Sequence, residues 1–211
     1  MVDIRQERPE DHEWVEQMTR RAFYNLYMPG CGEHYLAHVL RGHEDFIPEL
    51  DLVLELDGRV IGNIMYTKAS LIRDDGASVP AVTFGPLCID PEHQRRGYGR
   101  MLVERSCQIA GEMGYEAVVT FGSPLNYVGY GFVSCKKYGV HAEGGVYPAA
   151  MLVRELREGV LSGGGWTYRD SPAMHISDKD AEAFDAKLPP MEKRWQPSQE
   201  EFYIMSQALL G

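Results

Sequence analysis

The sequence predicts a mixed α/β domain built around one sheet. Its predicted elements run in the order strand, two helices, several extended strands, and then strand, helix and strand. Asp57-Gly58 lies between two apolar extended runs and is typical of a hairpin turn, so this part of the sheet is antiparallel. Residues 117–121 follow a helix as a short apolar run, which is typical of a strand buried on both faces. We therefore expect a mixed α/β or α+β sheet.

The N-terminal segment carries the signals of a strand followed by two helices. Residues 2–5 alternate between apolar and charged side chains, as a half-buried strand does. Pro9-Glu10-Asp11 then begins a helix in which apolar side chains recur at helical spacing. Residues 27–32 contain Pro and Gly and end this helix, and residues 33–40 predict a second, shorter one.

The next segment predicts long extended runs joined by tight turns. Residues 50–56 and 60–66 flank the hairpin, and residues 68–72 continue the second of these strands. Asp74-Asp75-Gly76 predicts another turn, after which residues 79–89 form the next strand. This order places consecutive strands beside one another in the sheet.

Helices and strands alternate in the predicted C-terminal half. A helix begins near Gly97, buries Leu102 and Ile109 on one face and ends at Gly114, which is a typical C-terminal cap. Ser123-Pro124 predicts the N-cap and first turn of a short helix. The remaining predicted elements are strands at residues 132–140, 149–156 and 166–168, a glycine turn at 163–165, and helices at 178–188 and 198–210.

The composition excludes some classes of partner and location. The chain has 21 Lys and Arg, 31 Asp and Glu, and a formal net charge of −10. Nucleic-acid binding needs a basic face, so we expect no nucleic-acid partner, and the negative field would instead attract a cationic acceptor. No signal-peptide pattern or long apolar span is present, so we expect no membrane association. Four scattered cysteines without a CxxC pair favour a reducing, cytoplasmic location.

The densest positive charge in this acidic chain lies between a predicted strand and a predicted helix. The stretch is His93-Gln94-Arg95-Arg96-Gly97-Tyr98-Gly99-Arg100. Unpaired N–H groups and the positive end of the helix dipole favour an anion at such a position. Glycine also lets the backbone approach a phosphate closely. We therefore interpret the stretch as a phosphate-binding loop rather than a solvated turn.

Two common phosphate motifs are excluded by the residues that follow this loop. A Walker loop requires Gly-Lys-Ser/Thr, which is absent here. The dinucleotide fingerprint requires a third glycine three residues after Gly99, where this chain has Leu102. The phosphate must therefore belong to a different class of ligand.

Several motifs resemble, in the same order, those of the GCN5-related N-acetyltransferase (GNAT) family. Gln94-x-x-Gly97-x-Gly99 is similar to its R/Q-x-x-G-x-G/A signature, and residues 85–91 (GPLCIDP) resemble the strand that precedes it. Residues 126–132 (NYVGYGF) are similar to a later tyrosine-containing segment of the family. The resemblance covers residues 2–156, and the tail at residues 184–193 is similar to the bacterial YhbS-like subgroup.

The resemblance implies the GNAT fold, which is a mostly antiparallel central sheet with a splayed parallel strand pair and helices on both faces. It also implies a binding site for acetyl-CoA, with the loop on the pyrophosphate. Proline cannot join a central ladder, so Gly85-Pro86 marks a bulge that would splay its strand from the parallel neighbour. That opening would free main-chain groups for the pantetheine arm. The residues expected to contact the cofactor are Leu87, Cys88, Ile89, Gln94, Arg95, Arg96, Gly97, Tyr98, Gly99, Arg100 and Asn126.

The resemblance also places a general acid at Tyr127, four residues before Gly131, where it would protonate the leaving thiolate. Many relatives use a glutamate on the strand before the loop as the base, but residues 82–84 (Val-Thr-Phe) supply none. Glu33 and His34 border the predicted acceptor site, so either could serve directly or through water, as could a water chain to solvent.

Metal and thiol chemistry are less favoured by the sequence. His34 and His38 have the i, i+4 spacing that could hold a metal, but no third ligand is evident, so we expect no metal. Cys88 could act as a nucleophile, but no base is evident beside it, and a small core residue is the better interpretation.

The sequence therefore predicts an N-acetyltransferase in which a primary amine attacks acetyl-CoA directly in a ternary complex. The acceptor amine belongs to a small molecule or a peptide. The alternative is a binding or regulatory module that keeps the acyl-CoA site without catalysis, because the strand glutamate is missing. We expect residues 1–157 to form the acetyltransferase core and residues 158–211 an extension packed on the same domain. The extension could cover the acceptor site, form a homodimer contact or brace the sheet.

Overall fold

A computed structural model describes every residue from Met1 to Gly211. Its strands and helices follow one another in the order that the sequence predicts. The strands are β1 (Val2–Gln6), β2 (Leu52–Leu56), β3 (Arg59–Arg73), β4 (Ser78–Ile89), β5 (Ala117–Phe121), β6 (Val133–Ser134), β7 (Val140–His141), β8 (Met151–Glu155) and β9 (Trp166–Arg169). The helices are α1 (His12–Phe23), α2 (Glu33–Leu40), α3 (Tyr98–Glu112), α4 (Pro124–Tyr127), α5 (Asp178–Asp185) and α6 (Pro197–Gln207).

All strands join one 9-stranded mixed sheet. Its main path runs β1-β2-β3-β4-β5-β8-β6, and β9 pairs with both β3 and β7. The parallel pairs are β4–β5 and β7–β9, and the other neighbours are antiparallel. The predicted mixed α/β fold with a parallel pair is confirmed, and the second parallel pair is an addition that the sequence did not indicate.

The hairpin between β2 and β3 has the turn that its residues predict. Leu56 pairs with Arg59, and the two residues between them, Asp57 and Gly58, have φ values of 51° and 82°. A two-residue turn with positive φ at both positions matches the right-handed twist of the strands that it joins. Gly adopts this conformation freely, and Asp tolerates it better than most residues.

Strands β2 and β3 are buried on both sides, because helices cover both faces of the sheet there. Leu52 and Leu54 of β2 pack in the cluster beneath α3, whereas Val53 packs with Val15 and Met18 of α1. Successive side chains on a strand point to opposite faces, so this alternation places α3 on one face and α1 on the other.

The parallel pair β4–β5 opens part of the way along β4. Pairing ends where Thr83 meets Val119, so β4 beyond that point has a strand neighbour only on its β3 side. On that side the register shifts between Ile64 and Tyr66, opposite Gly85-Pro86. This shift is a β-bulge, as the position of the proline predicts. The unpaired edge of β4 faces the gap between the two strands.

One predicted strand, residues 132–140, is wrong. Only β6 and β7 at its two ends are extended, and Cys135–Tyr138 form a 3-10 helix between them. The Ser134 hydroxyl accepts a hydrogen bond from the Lys136 N–H at 3.3 Å, and Gly139 adopts a φ of 63°. A side-chain cap followed by a left-handed glycine turns the chain away from a continuous ladder.

The short helix α4 is present where Ser123-Pro124 predicts it, but Ser123 does not cap it with its side chain. Proline alone favours the first turn by fixing φ at a helical value. No helix in the structure combines the length with the apolar character that crossing a bilayer requires.

The C-terminal residues return to the core at several places. Strand β9 pairs with residues 70–73 of β3, on the same edge of β3 whose residues 59–64 pair with β2. After α5, the chain runs beside the loop between α1 and α2, where Asn25 donates a hydrogen bond to the Glu192 carbonyl at 2.8 Å. The last residues reach the start of β8, where the Leu210 N–H donates to the Tyr147 carbonyl at 2.8 Å.

A buried pair of carboxyl groups, Glu7 and Asp51, lies where β1 ends and β2 begins. Glu7 accepts two hydrogen bonds from Arg41, at 2.8 and 2.9 Å. Asp51 is buried, hydrogen-bonded to Glu7, and accepts from Asn63 Nδ2 at 2.9 Å. Burial, and then the bond to the Glu7 carboxylate, raise the pKa of Asp51 to about 9 from an ordinary value of 3.8.

This pair predicts that the free energy of unfolding decreases as the pH rises. Between about pH 4 and pH 9 the folded chain holds a proton on Asp51 that the unfolded chain has lost. Each pH unit in this window therefore costs up to about 1.4 kcal/mol. Asp51→Asn keeps both hydrogen bonds without titrating, so it should stabilise the fold by about 1 kcal/mol or more at pH 8. Denaturant unfolding at several pH values measures this, with exposed Asp74→Asn as the control. Parallel profiles for wild type and Asp51→Asn would contradict the prediction.

Candidate active site

The loop between β4 and α3 is exposed and is fixed at both ends. At its start, Gln94 Nε2 donates a hydrogen bond to the Ile89 carbonyl at 3.0 Å. At its end, Gly97 is the N-cap of α3 and has a φ of 88°. Arg95 also has a positive φ, 61°, which a non-glycine residue adopts only at a cost. The alternation of left-handed and right-handed residues curves the main chain into a concave turn.

The main-chain N–H groups of this turn are available to a ligand. The amides of Arg95, Arg96 and Gly97 make no backbone hydrogen bond. The first helical bond of α3 runs from the Met101 N–H to the Gly97 carbonyl at 3.2 Å, so the preceding amides of the helix have no acceptor one turn earlier. A Cβ atom on Gly97 would meet no protein atom within 4 Å. The residues present therefore fit a phosphate group, which needs several donors and close access to the backbone.

The arginines of the loop differ in whether they form an ion pair within the protein. Arg95 and Arg96 are exposed and form no ion pair. Arg100 lies against Glu104 at 2.6 Å, and its guanidinium sits 5.9 Å from the centre of the Tyr130 ring. We therefore expect Arg95 and Arg96 to contribute most of the positive charge available to an anion.

A buried carboxylate that was not singled out in the sequence holds the start of the loop. Asp90 is fully buried, and its carboxylate lies 2.7 Å from Arg21 and accepts from the Glu92 N–H at 3.1 Å. Its own N–H donates to the Ile61 carbonyl at 2.8 Å. An Asp followed by Pro91 at a strand end is a helix-start signal, so the sequence did contain a clue to this residue.

The strand segment expected to bind the cofactor lies at the opening of the sheet. Leu87 and Ile89 are half-buried against the cluster beneath α3, whereas the Cys88 side chain points to the other face. Cys88 Sγ lies 3.2 Å from Thr19 Oγ1, and burial raises the pKa of this thiol to about 12. A buried thiol with a raised pKa is a poor nucleophile, so Cys88 is a core residue.

Tyr127 stands at the same opening, on α4. Its ring packs edge-on against Phe84 of β4 and Phe132, with ring centres 5.5 and 5.9 Å away. A Cβ on Gly122 would lie 2.8 Å from Tyr127 Cε2, so the ring occupies space that only glycine leaves free. Burial, with smaller contributions from Tyr27 and Tyr130, raises the pKa of the Tyr127 phenol above its ordinary value. The phenol is therefore protonated throughout the neutral range.

Two aromatic side chains from distant parts of the chain pack against each other on α6 and the loop between α1 and α2. Tyr27, from the loop between α1 and α2, stacks on Phe202 of α6 with ring centres 4.5 Å apart at an angle of 30°. Glu33 at the start of α2 raises the pKa of Tyr27, after the larger effect of burial. The sequence did not indicate this contact of Phe202, because α6 shows no strong segregation of apolar residues to one face.

The two histidines considered as base or metal ligands face structural partners. Buried His34 lies 3.4 Å from Cys31 Sγ through Nδ1, and its Nε2 is 3.2 Å from Asp185 Oδ1 without hydrogen-bond geometry. Burial lowers the pKa of His34. His38 is exposed beside Glu16 at 3.0 Å. The structure contains no cluster of three or more His, Cys, Asp or Glu side chains suited to a metal ion.

Asn126 completes the set of predicted contacts. It lies on α4, is exposed, and leads directly into Tyr127. The predicted cofactor residues thus lie on β4, on the loop that follows it, at the start of α3 and on α4, and the Cys88 side chain points to the opposite face of the sheet. The strand residues Val82, Thr83 and Phe84 supply no acid at this opening, as the sequence indicates.

A mixed sheet opened at one parallel pair, with unpaired amides at a helix start beside the opening, is the architecture that the resemblance to the CoA-dependent acyltransferases of the GNAT family implies. The chain belongs to the acetyltransferase (GNAT) family, whose family model matches residues 16–129. The resemblance seen in the sequence motifs is confirmed.

Known relatives agree with this assignment. The chain is 30% identical over 161 residues to the uncharacterized N-acetyltransferase YhbS of Escherichia coli (strain K12), across 76% of this chain and 90% of that protein. A crystal structure of Escherichia coli YhbS in complex with CoA matches with a TM-score of 0.70 and 26% identity, covering 82% of this chain and 91% of that one. A GNAT acetyltransferase from Brucella melitensis in complex with acetyl-CoA shares the fold, with a TM-score of 0.65, 23% identity, and coverage of 83% and 99%.

Proposed function

We propose that this chain transfers an acetyl group from acetyl-CoA to a primary amine by direct attack within a ternary complex. The observation that carries the proposal is the concave turn of unpaired amides at Arg95, Arg96 and Gly97, placed beside the open edge of β4. The CoA complex of the relative YhbS supports the same ligand class. The turn matches a pyrophosphate in charge and access, and the open strand edge matches an amide-containing arm.

The two halves of the cofactor would be held by different physical means. The pyrophosphate accepts hydrogen bonds from the amides of the turn, and Arg95 and Arg96 add charge. The pantetheine arm carries peptide-like amides, which pair with the main chain near Leu87 and Ile89 much as an added strand would. Asn126, on α4 across the opening, supplies a further polar contact.

The raised pKa values of the cysteines favour direct transfer over a covalent acetyl-cysteine intermediate. A covalent acetyl-cysteine intermediate would need a reactive thiol, but burial raises the pKa of Cys88 and Cys31 to about 12 and that of Cys107 and Cys135 to about 11. The amine therefore attacks the thioester carbonyl itself. Tyr127, protonated and packed against Phe84 of β4, donates a proton to the departing thiolate.

The proposals for the acceptor and the location rest on the net charge and on the free cysteines. The net charge of −10 attracts a cationic amine, on a small molecule or a peptide. A cytoplasmic location, suggested by the free cysteines, would supply acetyl-CoA to this site. The alternative of a non-catalytic acyl-CoA-binding module is not favoured, because it leaves the placement of Tyr127 without a role.

A thermal shift measurement tests the proposal directly. Acetyl-CoA at about 100 times its dissociation constant should stabilise the fold by about 2.7 kcal/mol, which is a rise in Tm of about 5–10 °C for a chain of this size. S-acetylpantetheine lacks the pyrophosphate and should produce a much smaller rise at equal concentration. An unchanged Tm at millimolar acetyl-CoA would overturn the proposed function.

A further inference from the structure

The opening between β4 and β5 has a second face, on the side of the sheet away from α3. Thr83 of β4 and Val119 of β5 form the last pair before the strands separate. Val82 and Phe84 pack in the cluster beneath α3, whereas Val119 packs in the cluster on the other face. Because successive side chains of a strand alternate between faces, Thr83 points away from α3. The closed end of the opening therefore has Phe84 on one face and Thr83 on the other.

A tyrosine from the C-terminal extension lies across this second face. Tyr168 of β9 packs in the same cluster as Val119. Its Oη atom is 2.6 Å from Thr83 Oγ1, and its ring centre is 5.7 Å from that of Phe121 on β5. Thr83 ends the paired part of β4, and Phe121 lies just beyond the paired part of β5. Tyr168 therefore contacts both strands at the closed end of the opening.

Tyr127 and Tyr168 occupy corresponding places on the two faces. The Tyr127 ring packs on Phe84 of β4 and fills the space beside Gly122, directly after β5. Phe84 and Thr83 are neighbours in sequence that point to opposite faces. The predicted general acid and the Tyr168–Thr83 hydroxyl pair therefore lie on opposite sides of the same strand.

A third hydroxyl on the second face has no partner. Thr67 of β3 is paired with Thr83 across the β3–β4 ladder, so both side chains point to the same face. The Thr67 Oγ1 atom is buried and makes no hydrogen bond. Thr67, Thr83 and Tyr168 are each more than nine-tenths buried, and we call these three residues the hydroxyl cluster. Buried polar groups almost always have a hydrogen-bond partner, so the unpaired hydroxyl indicates a place for a polar ligand atom.

The charged groups that follow Tyr168 in the chain are paired with one another or with polar neighbours. Asp170 lies 3.0 Å from His175, and Asp45 accepts a hydrogen bond from Ser171 at 2.7 Å. Burial raises the pKa of Tyr168, so its phenol keeps its proton in the neutral range. The hydroxyl cluster therefore acts through neutral hydroxyls, which both accept and donate hydrogen bonds.

The direction of β4 brings a bound thioester toward the hydroxyl cluster. In the proposed function, the pyrophosphate lies at the turn after Ile89 and the pantetheine arm follows the open edge of β4. The arm then extends from the loop toward the closed end of the opening, where Thr83 pairs with Val119. An amine that approaches from the face opposite Tyr127 meets the hydroxyl cluster there.

We propose that the acceptor amine attacks the thioester from this second face, that Thr83 accepts a hydrogen bond from its nitrogen, and that Tyr168 carries the proton onward. Thr83 is then a catalytic residue, and Tyr168 acts through it. Two linked hydroxyls orient the nitrogen lone pair and pass on a proton without the carboxylate that this strand lacks. The inference rests on the proposed function and adds to it the face of attack and the path of the proton. It also gives the C-terminal extension a part in catalysis.

The bonds and protons balance. The neutral amine nitrogen bonds to the thioester carbonyl carbon, and the carbon–sulfur bond breaks as Tyr127 protonates the sulfur. The nitrogen passes one proton to Thr83 Oγ1, which passes its own proton to Tyr168 Oη, and Tyr168 releases one proton to solvent. Tyr127 regains a proton from solvent. One proton is released and one is taken up, so the products are the amide and CoA.

Hydroxylamine tests this path, because it is a small nitrogen nucleophile that is uncharged in neutral solution. Thr83→Val keeps the shape of the side chain and removes the hydroxyl. It should lower kcat by about 100-fold and change the KM for acetyl-CoA by less than about threefold. Tyr168→Phe keeps the ring and should lower kcat by about 10-fold or more. The measurement is formation of acetohydroxamate above the rate without enzyme, with thermal unfolding to check that each variant is folded.

The double variant distinguishes a proton relay from two independent packing effects. Because Tyr168 acts through Thr83, Thr83→Val combined with Tyr168→Phe should lose about as much activity as Thr83→Val alone. Thr83→Ser restores the hydroxyl and should recover kcat to within about fivefold of the wild type. Losses that multiply in the double variant, no recovery in Thr83→Ser, or an unchanged kcat in Thr83→Val would overturn the proposal.

Ser106→Ala is the matched control for the loss of a buried hydroxyl pair. Ser106 Oγ lies 2.7 Å from Tyr66 Oη, and Tyr66 packs in the cluster beneath α3. This variant also leaves a buried tyrosine hydroxyl without its partner, so it should lower the Tm as Thr83→Val does while kcat stays near that of the wild type. An equal loss of kcat in Ser106→Ala would show that Thr83→Val acts through the fold, which would also overturn the proposal.

The thermal shift with acetyl-CoA separates failure of this inference from failure of the proposed function. If acetyl-CoA raises the Tm of the wild type but the enzyme transfers no acetyl group to hydroxylamine, this inference is wrong and the proposed function stands. If acetyl-CoA produces no shift, the proposed function fails and this inference fails with it.

Discussion

Tyr127→Phe is expected to lower kcat by about 100-fold or more while leaving acetyl-CoA affinity nearly unchanged. The substitution removes only the hydroxyl, and the ring contacts with Phe84 and Phe132 remain. The fold and the cofactor site should therefore persist. Without the phenol, the thiolate must leave unprotonated, which raises the barrier to breaking the carbon–sulfur bond.

The measurement is thiol release from acetyl-CoA with an amine acceptor, combined with thermal shifts to follow cofactor binding. Tyr130→Phe is the matched control, because Tyr130 lies in the same segment with its ring near Arg100. Tyr130→Phe should retain most of the activity. Unchanged turnover in Tyr127→Phe, or a larger loss in Tyr130→Phe, would show that the acid is assigned to the wrong residue.

The second large effect is expected from Gly99→Val in the first turn of α3. A Cβ on Gly99 would meet no protein atom closer than Ile89 Cγ1 at 3.7 Å, which is an ordinary contact. The fold should therefore accept the substitution, but the added methyl groups would occupy the space beside the amides that the phosphate needs. We expect acetyl-CoA affinity to fall by about 100-fold or more, equivalent to about 2.7 kcal/mol.

Gly111→Ala is the control for Gly99→Val, since it lies on the same helix and faces Leu156 at an ordinary 3.9 Å. Ala has the higher helix propensity, so this variant should be slightly more stable and bind acetyl-CoA as the wild type does. Isothermal titration with acetyl-CoA measures both variants. Wild-type affinity in a folded Gly99→Val would contradict the placement of the pyrophosphate at this turn.

Much of the fold could be predicted because its signals are local. Asp57-Gly58 specifies a turn with positive φ at both positions, and Gly85-Pro86 cannot continue a ladder. The exception is residues 132–140, where apolar residues suggest a strand. There the Ser134 side chain and Gly139 stabilise a 3-10 helix instead. For a short apolar run, the choice between strand and helix depends on the turn residues beside it and on the neighbouring chain segments.

The candidate site could be predicted only in part. Its cofactor half has a local sequence signal, whereas its acceptor half has none. The cofactor half lies in one stretch of sequence, from Leu87 to Arg100, so its residue types and spacing carry the signal. The acceptor half has no such stretch. Glu33 and His34 were both candidate bases, and nothing in the sequence distinguished them.

The sequence by itself determined the fold class and predicted the cofactor loop and Tyr127, because each depends on residues that are close in the chain. The tertiary structure alone decided which distant segments meet. Tyr27 and Phe202 lie far apart in sequence and meet only when α6 packs back against the loop after α1. The burial that makes Cys88 and His34 poor candidates for chemistry is likewise a property of packing. Burial depends on neighbours contributed by the whole chain, so no local pattern encodes it.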